Sequence, residues 1–157
     1  PDPRVVAAEL GDASDRGALK AGLQVASFLQ GLRAAGVSFA IVLLDASPTP
    51  EIIRAVTPAL RNAGLYGWRR ALELPSGDLP IPPETDLRLV RGATLAELEP
   101  AWSRGEEIGG GLESFWTGET VGGKAPPAVC LYGAAPAGVD AAATVAAGRR
   151  LREWMSP

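Results

Sequence analysis

The 157-residue chain has no histidine, a single cysteine, Cys130, and only two lysines, Lys20 and Lys124. Without histidine there is no Ser-His-Asp or Cys-His nucleophile system and no imidazole ligand for a metal. One cysteine excludes an internal disulfide and a cysteine-rich zinc site, leaving for metals only an all-carboxylate magnesium or calcium site. Cys130 lies in the apolar run Ala128–Tyr132, where it reads as a small buried hydrophobe. Sparse cysteine fits a reducing, cytoplasmic setting. No cofactor is expected from this residue set.

Long apolar runs are missing too. None approaches the roughly 18 to 20 residues of a membrane span, and the opening PDPRVV has no basic-then-apolar signal pattern. A start at Pro1 fits a piece of something longer. The net charge of −3 and a pI near 5.0 provide no general attraction to phosphate backbones or anionic lipid. The expected partner is therefore another protein or a second copy of the chain, with neither nucleic acid nor membrane involved. Thirteen arginines against two lysines reflect a GC-rich coding sequence.

What is present is an ordinary globular composition, 46% hydrophobic and 21% charged, punctuated by nineteen glycines and fourteen prolines. Val37 to Leu44, VSFAIVLL, has no polar face and predicts a strand buried on both sides of a helix-covered sheet. Asp45, Ser47 and Thr49-Pro50-Glu51 follow at once, so a turn and a helix start stand beyond its carboxyl end, where α/β sheets collect ligands. Arg4 to Leu10 predicts a first strand. Ala18 to Ala35 predicts a helix with Leu19, Leu23, Ala26, Leu29 and Leu32 inward and Gly36 as its stop. The repeated Thr-Pro signals at Thr49-Pro50 and Thr57-Pro58 predict a kink or two short helices up to Ala63, with Ile53, Val56 and Leu60 inward.

Tyr66 to Leu74 alternates, which predicts a half-exposed strand near an edge. Pro75 to Pro83 then forms an extended connection. Asp86 to Arg91 reads as a strand, and Thr94-Leu-Ala-Glu97 as a capping box opening a helix that Pro100 bends or cuts short. Residues 105–124, with seven glycines around Phe115 and Trp116, show no regular period. Ala128 to Tyr132 predicts a buried strand, followed by a helix carrying Ala143, Ala147, Leu151 and Trp154. The fold class is a three-layer α/β sandwich, its mostly parallel or mixed sheet of about five strands flanked by helices. One domain, 1–157, is expected, with a proline-rich connection at 75–85 between two halves.

Four constellations carry chemistry or contact. Gly118 to Ala125 is one residue short of a phosphate loop, with Ala125 where a magnesium-binding hydroxyl belongs and Pro126-Pro127 blocking the helix that should follow. Gly133 to Asp140 has strand-loop-helix context, so Gly133, Gly138 and Asp140 join Asp45 and Ser47 as a ligand-binding set if their two strands are neighbours. Phe115 and Trp116 are either an aromatic anchor for a partner or a plug for the core. Arg149, Arg150 and Arg152 suit a helix C-terminus, and Trp68, Trp102 and Trp154 suit the core.

Residues 16–74, from Asp15-Arg16-Gly17 through a helix, the strand ending at Asp45, a second helix and Asn62-Ala-Gly64-Leu65, resemble the coenzyme-A-binding half of GCN5-related N-acetyltransferases. DLRLVRGATLAELEPAW at 86–102 resembles that fold's opening strand and helix. The two segments stand in reversed order, and the pyrophosphate loop reads Ser14-Asp-Arg-Gly17-Ala-Leu19 in place of Gln/Arg-x-x-Gly-x-Gly/Ala. The resemblance implies coenzyme A near Arg16 and Gly17. The leading functional expectation is a non-catalytic binding or assembly module. The alternatives are a small-ligand or nucleotide-binding domain with its site at the strand C-terminal ends, and a divergent acyltransferase-like domain that binds coenzyme A.

Overall fold

A computed structural model describes residues 2–45, 48–76, 79–117, 125 and 129–156. Among them the chain forms a five-stranded parallel sheet in the sequential order β1-β2-β3-β4-β5, with six helices. The strands are β1 (Phe39–Leu43), β2 (Arg69–Leu74), β3 (Leu87–Val90), β4 (Ile108–Gly111) and β5 (Cys130–Tyr132). The helices are α1 (Pro3–Glu9), α2 (Asp15–Gly31), α3 (Pro50–Leu65), α4 (Leu95–Ser103), α5 (Ser114–Thr117) and α6 (Ala141–Met155). The expected α/β class is thus realised, with a sheet that is parallel throughout. The residues cluster into two compact units, Pro1–Arg88 and Leu89–Pro157.

In the first unit the opening segment is helix, not strand. Asp2 caps it by accepting from Arg4 N, and Pro3 fills a first-turn position where its missing N–H costs nothing. Ser14 caps α2 in the same way, accepting from Gly17 N at 3.1 Å. Helix α2 ends at Gly31, one 3-10 turn (Arg33–Ala35) continues the segment, and Gly36 stops it at φ 72°. Its buried face is only partly the one expected: Ala26 is buried as foreseen, but its companions are Gly17, Ala18, Ala21 and Gly22, while Leu19 and Leu23 are exposed. Close approach to α3 is the reason. A Cβ built on Gly22 falls 2.0 Å from Ala55 O.

Helix α3 is one helix, not two. Thr49 accepts from Ile52 N at 3.3 Å, and Pro58 sits inside the helix without ending it. The buried series Ile52, Ala55, Val56, Ala59, Leu60 and Ala63 holds the axis past the one lost hydrogen bond. Ile52, Val56 and Leu60 pack in one cluster with Val42, Leu44, Leu72 and Leu74. That cluster covers a single face of β1–β2. Strand β1 therefore alternates, with Ala40 and Val42 buried and Phe39, Ile41 and Leu43 exposed, in place of the two-sided burial expected. Strand β2 departs the other way. It lies between β1 and β3, and its second face is closed at Ala71 and Glu73.

In the second unit Thr94 and Glu97 form the expected capping box of α4, which ends at Ser103. Strand β4, IGGG, had no side-chain period to reveal it. Its glycines are bare because neighbours fill their places: a Cβ on Gly109 meets Leu89 Cδ2 at 2.8 Å and Cys130 Sγ at 3.0 Å. The core here gathers Val90, Leu98, Trp102, Ile108, Phe115, Ala147 and Trp154. Trp102 Nε1 donates to Ile108 O at 2.8 Å. Strand β5 is half-buried, as the outer strand of the sheet.

Candidate functional site

Two residues past the end of β1, Asp45 lies exposed in a bend. Its backbone N–H donates to Asp2 Oδ2 at 2.9 Å. Asp2 is buried, and it also accepts from Arg4 N at 2.8 Å and from Arg4 Nη2 at 2.7 Å. Burial pushes the Asp2 carboxyl upward, but the Arg4 side chain, the Asp45 and Arg4 amides and the Arg4 charge together hold it below its ordinary 3.8. This clasp ties the start of α1 to the carboxyl end of β1, and it occupies the amide at Asp45. Sequence reasoning missed Asp2, although Asp-Pro-Arg before an alanine run is a helix-start signal. Ser47 lies outside the described residues, and so does most of the near-phosphate-loop at 118–125.

At the far edge of the sheet, Gly133 follows β5. Glu113, just beyond β4, reaches across to it: Glu113 Oε1 accepts from Ala134 N at 3.2 Å. A Cβ on Gly133 stands 2.3 Å from Glu113 Oε2, so the carboxylate lies directly over this glycine. Asp140 caps α6, accepting from Ala143 N at 2.7 Å, and Gly138 turns the chain at φ 79°. The amide that an incoming phosphate needs at this turn is thus already given to a carboxylate, and a second anion brought beside it is repelled. Strands β1 and β5 do not pair with each other in the sheet order, so the condition of neighbouring strands set for the joint ligand set is not met.

The Gly17 loop follows helix α1 and not a strand, and the Gly17 N–H is spent on the Ser14 cap. A Cβ on Gly17 meets Asp12 O at 1.9 Å, which explains the glycine by packing. Phe115 is completely buried against Trp154, with ring centroids 5.5 Å apart. Trp116 is half-buried against the same cluster. Phe115 is thus a plug of the core and not a displayed anchor, because its ring fills the space over the α6 tryptophan. Arg150 is no free helix-end charge, for its guanidinium donates to Phe115 O through Nε, at 3.0 Å, and Nη2.

No group of three or more His, Cys, Asp or Glu among the described residues could hold a metal ion. No helix among them is long and apolar enough to cross a membrane. What stands out is a surface and not a pocket of chemistry. Phe39, Ile41 and Leu43 share one face of an edge strand and are 38%, 37% and 37% exposed. Comparison of the chain with protein-family models, with curated proteins and with solved structures gives no match.

Proposed function

We propose that this chain is a non-catalytic binding or assembly module that works in the cytoplasm through protein contacts. The observation that carries the reading is the uncovered apolar face of β1, three large side chains in alternation on an edge strand. Soluble proteins blunt or cover such edges because exposed strands recruit others, and contiguous exposed apolar surface marks interaction sites. The chemistry points the same way: no histidine and one cysteine, and strand-end amides already taken by Asp2 and Glu113.

Light scattering across a concentration series, paired with a thermal-shift screen of nucleotides and coenzyme A, tests the proposal. The expected result is a mass above 16.2 kDa that rises with concentration, with no shift from any phosphate ligand. A ligand present at about a hundred times its Kd stabilises by about 2.7 kcal/mol. A shift of that size in a chain that stays monomeric overturns the reading in favour of a small-ligand domain.

A further inference from the structure

We propose that β1 is a self-pairing edge, on which a second copy of this chain docks its own β1 antiparallel across a twofold axis through Ile41. The inference rests on the assembly reading above and names its partner. Register supplies the geometry. Phe39 stands beside Arg69 and Leu43 beside Glu73, Arg69 N donates to Ser38 O at 3.0 Å, and Leu44 N donates to Glu73 O at 3.1 Å. Main-chain groups alternate sides along a strand, so Ala40 and Val42 turn theirs toward β2, while Phe39, Ile41 and Leu43 turn theirs outward. The residues that offer free donors and acceptors are the same three whose side chains are exposed.

A copy is the occupant that fits this arrangement. With the axis at Ile41, Ile41 meets Ile41 and Phe39 meets Leu43 of the second copy, so every outward-facing residue is matched by another. A slip of one residue sets outward groups against inward ones, and a slip of two leaves one residue of each triad without a partner. The strand FAIVL carries no charge, proline or glycine, so no side-chain device against edge pairing is present in it and no like charges oppose each other in the paired register. Cross-strand neighbours are apolar on apolar. A contact built on one short strand is small, which gives a weak, concentration-dependent dimer.

Sedimentation from about 5 to about 500 µM, the span over which weak complexes assemble, is read together with amide exchange by NMR at both ends of the range. The expected result is a mass rising toward twice 16.2 kDa. The Phe39, Ile41 and Leu43 amides gain about tenfold protection or more on concentration, while those of Ala40 and Val42 do not change. Ile41→Lys, placed on an exposed position where lysine is a natural edge guard, weakens association about tenfold or more with its circular dichroism retained. Phe28→Lys, at another exposed aromatic, leaves association intact. Association that survives Ile41→Lys with no protection of the three amides overturns the β1 pairing and leaves the assembly reading standing. A monomer at every concentration whose three amides are protected only by an added extended peptide overturns the second copy as occupant. A monomer that binds no protein overturns both readings.

Discussion

A single buried carboxylate, Asp2, performs three tasks: it caps α1, pairs with Arg4 and holds the amide at the end of β1. Replacing it with alanine removes a cap worth about 1 kcal/mol and leaves buried donors unmatched, for a total loss of roughly 2 to 3 kcal/mol. Urea unfolding at neutral pH measures this. Its depressed pKa also fixes the sign of an acid effect. Burial opposes ionisation, yet the Arg4 contacts and the Asp45 amide hold the folded value below the ordinary 3.8. The stability it contributes is therefore fully present above about 4 and is lost as pH falls through the lower folded value. Asp86, held down first by the Arg70 guanidinium, adds a contribution of the same sign. Stability is expected to fall as pH drops below about 4, less steeply in Asp2→Asn, and equal slopes in the two proteins contradict the role given to Asp2.

Helix α2 shows how far element packing can depart from hydrophobic periodicity. Its leucines marked a face in the sequence, but backbone approach to α3 is close enough that only glycine and alanine fit between them. Gly22→Ala is expected to destabilise by about 1 to 3 kcal/mol, because overpacking against Ala55 O outweighs the helix propensity it gains. Gly148→Ala in α6, with nothing within 4 Å of its Cβ, is expected to stabilise by about 0.5 to 1 kcal/mol. Thermal unfolding of the two variants must therefore move in opposite directions. The elements that were legible carried local signals of their own, the Thr94–Glu97 box, the Thr49-Pro50 start, the Gly36 stop and the Asp140 cap. Those that were misread lacked them or shared them. Residues 4–10 are equally apolar as strand or helix, and β4 has no side chains to count.

At the scale of the whole molecule, the sheet itself was foreseeable from alternating apolar runs and glycine turns, but strand order was not, since it depends on which crossover packs where. Order is what makes β1 an edge and leaves β1 and β5 unpaired with each other. Sequence alone placed a buried strand there and so concealed the exposed Phe39, Ile41 and Leu43 face. Phe115→Ala, which opens a cavity beside Trp154, is expected to cost about 3 to 5 kcal/mol. Urea unfolding of the otherwise unchanged chain, followed by far-ultraviolet circular dichroism, measures that cost, and a loss below about 1 kcal/mol contradicts the reading of Phe115 as a plug of the core.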